Sequence, residues 1–100
     1  MSFQVVTSRR AEKNLADIIS YLESKWSART ANKFLHLLNK KVKQIAINPE
    51  MYEVSNKKKG IRRCVVTKHT IMYYQIKATE KEIEIATFQD SRRNPKKLKI

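Results

Sequence analysis

The residues of this chain that could do chemistry are basic and aromatic: Arg62, Arg63, Lys68, His69, Tyr73, Tyr74, Arg92 and Arg93. Arginine clamps a phosphate with two parallel hydrogen bonds and can stabilise a pentavalent phosphorane, but it cannot act as a general base. Proton transfer would fall to His69, or to Lys68 with its pKa lowered by neighbouring cations. Arg62 and Arg63 are adjacent in a β-prone run, so alternation sends them to opposite faces and at most one enters any given groove. The competing reading of the aromatic pair is packing alone, with one ring of Tyr73 and Tyr74 in the core and the other at the surface.

Other chemistries are excluded. One cysteine, Cys64, and two histidines, His36 and His69, offer no ligand cluster, so neither a metal nor a cofactor is expected. With Gly60 the only glycine, no glycine-rich phosphate cradle exists. Cys64 and His69 are formally a nucleophile and a base, but Cys64 lies within a β run and reads as a buried structural thiol. Glu80, Glu82 and Glu84 alternate with apolar residues, the pattern of a solvent-facing strand side rather than of paired catalytic carboxylates. The charge stands out: 22 Lys and Arg against 9 Asp and Glu, net +13, a field that favours polyanions or an acidic protein partner. A lone cysteine forms no disulfide within the chain, and no run approaches a membrane span. No signal-peptide pattern opens the sequence, so the expectation is a soluble cytoplasmic protein without membrane contact.

These residues need elements to position them, and one hundred residues predict one domain, 1–100. Phe3–Val6 reads as an opening strand. Ala11, Leu15, Ile18, Ile19, Leu22 and Trp26 then recur at helical spacing, with Thr7 or Ser8 as cap. A second helical run carries Ala31, Phe34, Leu35, Leu38, Val42, Ile45 and Ala46, begun by Ser27 or Thr30 and ended at Asn48-Pro49. The break near Lys25–Ala28 is short enough for an antiparallel helical hairpin, with Leu15, Ile18, Leu22, Phe34, Leu38 and Val42 predicted to be buried. "IRRCVV" (61–66), "TIMYYQI" (70–76) and "EIEIATF" (82–88) read as three strands of an antiparallel meander, joined by "TKH" and "KATEK". "SNKKKG" (55–60) reads as a basic loop. The fold class is therefore α+β, in the order β-α-α-β-β-β, with the helical hairpin packed on an antiparallel sheet. The second helix carries Lys33, Lys40, Lys41 and Lys43 with no acid between Lys25 and Asn48, either a solvated face or one awaiting an acidic partner.

"VVTSRRAEKNLADIISYL", "NP" after the second helix, "IRRCVVTKHTIMYYQI" and "FQDSRRNPKKL" together resemble, in order and spacing over nearly the whole chain, the RelE/ParE superfamily of toxins from type II toxin–antitoxin modules, the plasmid stabilisation proteins. The resemblance implies a growth-inhibiting toxin neutralised by a cognate acidic antitoxin. Its ParE branch poisons DNA gyrase. Its RelE branch cleaves messenger RNA in the ribosomal A site, through attack of a ribose 2′-hydroxyl on the adjacent phosphate. A non-toxic nucleic-acid-binding protein of the same fold is a third reading. Thr70 stands where RelE-like members often carry an arginine, and the closing helix or His-Tyr pair of that branch is not expected here, so the resemblance leans to ParE. For a nuclease, the resemblance matches Arg92 to the last-strand arginine and Arg62 or Arg63 to a basic residue on the preceding strand, with Lys68, His69 and Tyr73 as companions. For target or antitoxin binding the candidates are Lys33, Lys40, Lys43, Arg92, Arg93, Lys96, Lys97 and Leu98. Asp90 can pair with Arg92 or Arg93, and Pro95 stops further strand pairing.

Overall fold

Two serines set the helical hairpin. The computed structural model describes residues 2–56 and 60–92; Arg93, Pro95, Lys96, Lys97 and Leu98 lie outside them. The first strand, β1 (Gln4–Thr7), ends at Ser8, whose Oγ accepts a hydrogen bond from the Ala11 N–H at 3.0 Å and so starts α1 (Arg9–Lys25). Ser27 does the same for α2 (Ala28–Ile47), accepting from the Thr30 N–H at 3.1 Å. Between the helices stand only Trp26 and Ser27, and the N–H groups of both donate to the Leu22 carbonyl, which closes the turn. Asn48 caps the end of α2, and Pro49 forbids another turn.

The sheet contains β1, β2 (Val54–Asn56), β3 (Ile61–Val65), β4 (Thr70–Lys77) and β5 (Glu82–Asp90), in the order β1-β5-β4-β3-β2. Strands β3 to β5 form the expected antiparallel meander. Strand β1 is an edge strand and runs parallel to β5, with Val5 opposite Ile83. Val54–Asn56 is a short strand against β3 where the sequence reads as a loop; three residues are too few to carry a period. The expected turn between β4 and β5 is a single 3-10 turn, Ala78–Glu80, followed by Lys81 at φ 50°, a left-handed conformation. Gly60 enters β3 at φ 64°, where a glycine is the unstrained choice.

The helices cover one face of the sheet. Ile18, Leu22, Phe34 and Leu38 are buried there against Met72, Tyr74, Ile83, Ile85 and Phe88, with Cys64 fully enclosed among them. Leu15 and Val42, predicted buried, are half-buried at the margin of this core. Both members of the aromatic pair are inside: Tyr74 is 0% exposed on the helix side, and Tyr73 is only 7% exposed on the other. Neither ring is therefore at the surface as expected. The register of β4 on β5 shifts between Tyr73 and Tyr74, leaving Ala86 as the extra residue of a bulge.

Candidate functional site

Of the residues singled out by type, the structure gathers four around one cleft between the first half of α2 and the β3–β4 turn. Its floor is apolar: Leu22 from α1, and Phe34 and Leu37 from α2. Its rim is basic: Lys33 from α2, Lys68 and His69 from the turn, and Arg92 just after β5. Thr30 and Thr67 complete the lining, and no acidic side chain contributes to it. The volume is about 200 Å³.

Local structure fixes this rim. The turn is tied by Thr67, whose Oγ1 accepts from the N–H groups of His69 and Thr70, both at 3.1 Å. The ends of β4 and β5 are held together by a buried carboxylate. Asp90, 5% exposed, accepts from Thr70 Oγ1 at 2.6 Å, from the Arg92 N–H at 2.9 Å, and from Arg92 Nε and Nη2 at 3.2 and 2.9 Å. Burial alone would raise the Asp90 pKa; the hydrogen bonds from Arg92 and Thr70 outweigh it and hold the carboxyl below its ordinary value. The guanidinium of Arg92 is thus gripped as a fork at the mouth of the cleft. The Asp-x-Arg spacing at the end of β5 is what makes this possible.

The remaining candidates lie elsewhere. Arg62 is on the helix side of β3 and is committed to structure. Its Nη1 donates to the Tyr52 carbonyl at 2.6 Å, and its Nη2 faces Glu50 Oε2 at 3.8 Å. With Tyr74, whose hydroxyl donates to the Pro49 carbonyl at 2.7 Å, it pins the segment that follows α2. Arg63 is exposed on the opposite face, across from Tyr73, whose hydroxyl donates to Gln89 Oε1 at 3.2 Å. Arg62, Arg63 and Tyr73 therefore do not join Lys68, His69 and Arg92. Lys40 and Lys43 sit on an exposed polar ridge of α2 with His36 and Asn39, apart from the cleft. Cys64 is buried beneath Tyr52, its pKa raised by burial against the smaller opposing effects of the Tyr52 hydroxyl and Lys41. Burial likewise pushes the Tyr74 phenol up to about 12.

A larger opening of about 590 Å³ lies at the other end of the molecule, among Phe3, Ile47, Pro49, Val54 and Ile76. Among the described residues Arg62 is the cation that lines it, already engaged as described. Sequence reasoning missed Asn14. Its Oδ1 accepts from the Phe88 N–H at 3.2 Å and from the Thr87 hydroxyl at 2.6 Å, so it stands in for a strand partner where β1 stops covering the edge of β5. A lone asparagine on the apolar stripe of α1, between Ala11 and Ile18, was the available signal. Among the described residues no three His, Cys, Asp or Glu side chains cluster, and no helix is long and apolar enough to cross a membrane.

Comparison with known proteins follows the same lines. A family model described as the ParE toxin of the type II toxin–antitoxin system parDE matches residues 5–95. Toxin ParE1 of Caulobacter vibrioides is 34% identical over 67 residues, covering 66% of this chain and 70% of that protein. Among solved structures, the chromosomal ParDE system of P. aeruginosa superposes with a TM-score of 0.72 at 16% identity, over 89% of this chain and 96% of that one. A metal-bound toxin from Helicobacter pylori gives 0.67 at 22% identity, covering 90% and 96%. The RelBE2 toxin–antitoxin complex from Mycobacterium tuberculosis gives 0.61 at 11%, covering 90% and 99%. At these identities the structural likeness is one of fold.

Proposed function

The chain belongs to the ParE toxin family of type II toxin–antitoxin systems, and from that premise we propose that it arrests growth by acting on DNA gyrase and is neutralised by a cognate acidic antitoxin. The observation that carries the choice of target is the scatter of the groups a ribonuclease would need. Arg62 braces the segment after α2, Arg63 and Tyr73 face away from the helices, and Lys68, His69 and Arg92 stand at the far end of β4 and β5. A phosphate held by Arg92 has a proton carrier nearby in His69 but no second arginine from β3 to complete a clamp. Poisoning a protein target asks for a shaped, charged surface and no such convergence. The antitoxin reading rests on the net charge of +13 and on an α2 whose exposed lysines have no acid on their own helix. An acidic chain would neutralise this field and associate quickly through steering. Binding is expected at nanomolar affinity or tighter, about −12 kcal/mol.

Induction without the antitoxin tests the target directly. Growth should stop with altered plasmid supercoiling and DNA-damage signalling, while messages stay uncleaved, and co-expression of the acidic neighbouring reading frame should restore growth. Cleaved messages with normal supercoiling would overturn the gyrase reading. Steep salt-dependent duplex binding by a harmless protein would instead identify a nucleic-acid binder.

A further inference from the structure

The cleft between α2 and the β3–β4 turn has properties that a merely charged surface would lack. Its floor is made of Leu22, Phe34 and Leu37, and Leu37 remains 36% exposed. Around that apolar floor stand Lys33, Lys68 and Arg92 with no lining acid. At about 200 Å³ it falls short of the roughly 300–1,000 Å³ of small-molecule pockets and suits a single large side chain. Two of its walls are fixed in advance, the turn by Thr67 and the Arg92 fork by Asp90. Little side-chain freedom therefore remains to be lost when a carboxylate meets Arg92. A polyanion backbone has no use for the aliphatic floor. Single-stranded nucleic acid binds through exposed rings on which bases stack, whereas Phe34 is only 4% exposed.

We infer that this cleft receives a bulky apolar side chain of an acidic peptide segment, with the carboxylates flanking that side chain held by Lys33, Lys68 and Arg92. The inference rests on the toxin–antitoxin reading and names the part of the acidic partner that this site grips. The apolar anchor supplies the affinity and sets the dissociation rate; the cationic rim fixes its register.

The test is an NMR titration of the isotope-labelled full chain with three probes: a blocked Glu-rich peptide with one central Leu, the same peptide with Ala in place of Leu, and an oligothymidylate of matched charge. The Leu peptide should shift the amides of Lys33, Leu37, Lys68, His69 and Arg92, and bind about tenfold tighter than the Ala peptide, as partial burial of the extra carbons implies. Leu37→Asp should erase that preference. Lys68→Glu should weaken both peptides, and Lys13→Glu, the same charge change on the exposed side of α1, should not alter the preference. Equal affinity for the two peptides, shifts away from the cleft, or tighter binding of the oligothymidylate at these same amides each overturns the inference; circular dichroism verifies that the variants are folded. The underlying reading is separable in cells. If the acidic neighbour fails to protect while the Leu peptide still occupies the cleft, the antitoxin reading fails and the cleft stands. If Leu37→Asp leaves protection and the dissociation rate unchanged, the cleft is wrong and the antitoxin reading stands.

Discussion

Replacing Asp90 with Asn isolates the charge that holds the ends of β4 and β5 together. The shape is kept, but one of two acceptor oxygens becomes an NH₂ donor. Oδ2 accepts from Thr70 Oγ1 and Arg92 Nη2, and Oδ1 accepts from the Arg92 N–H and Nε. Whichever way the amide sits, two donors then face a donor. Hydrogen bonds to a charged group contribute about 1.5–3 kcal/mol each, though not additively. The Thr70 hydroxyl can rotate away, and Arg92, with a side chain 19% exposed, can recruit water. The expected loss is therefore about 2–4 kcal/mol, measured by urea denaturation at neutral pH. The pH dependence supplies the sharper check. A carboxyl whose folded pKa lies below its ordinary 3.8 stabilises the fold fully above that ordinary value and loses the contribution as pH falls through the folded pKa. Wild type and Asp90→Asn should thus differ most at neutral pH and converge in acid. A difference below about 0.5 kcal/mol at neutral pH, or one that does not shrink on acidification, would refute the account of Asp90 as a buried, ionised clamp.

Other outcomes follow from the same packing. Leu38→Ala, on the core side of α2, should cost about 2–5 kcal/mol in thermal or urea unfolding, and a value under half a kcal/mol would mean the helical phase is wrong. Asn14→Ala should cost about 1–3 kcal/mol and speed hydrogen exchange at the Phe88 amide, whose partner it removes. In a spectrophotometric titration one tyrosine should ionise near pH 12, and that step should vanish in Tyr74→Phe. Because the folded pKa is raised, this stabilisation is intact below the ordinary value of 10.0 and drains away as pH climbs towards about 12. Raising salt should slow association with an acidic partner by a large factor while barely changing dissociation.

Much of this fold was legible because its local signals agree. The 3.6-residue recurrence of Ile18, Leu22, Phe34 and Leu38 fixed the inner faces of both helices, and Ser8, Ser27 and Pro49 marked their ends. The β-branched runs marked β3, β4 and β5. What escaped was non-local or too short. The parallel pairing of β1 with β5 joins opposite ends of the chain and has no local signature. Strand β2 is three residues long and precedes a run of lysines. The bulge at Ala86 and the role of Asn14 depend on one another: once β1 ends, the free edge of β5 needs an acceptor, and only the assembled fold shows which residue supplies it. For the site, residue type singled out Lys33, Lys68, His69 and Arg92, and the fold brings these four side chains to one cleft. It could not reveal that Leu37 and Phe34 place an apolar floor beneath them, because those positions read as ordinary core spacing.

Alternation along β3 gives the adjacent arginines different fates. Arg62 points to the helix side, where the chain leaving α2 must cross the sheet, and there it offers hydrogen bonds to two carbonyls, those of Glu50 and Tyr52. Arg63 points away, beside Val65, and is exposed. A one-residue difference in register therefore separates a structural cation from a surface cation. Arg92 occupies a middle position: half its donors serve Asp90, yet it still lines the cleft. A cation fixed by an internal anion presents a defined geometry to the outside, which a lysine on an exposed ridge such as Lys40 does not. If recognition of an acidic partner depends on shape as well as charge, Arg92 and the turn that carries Lys68 are where that dependence should be concentrated, with the α2 ridge contributing mainly to the rate of encounter.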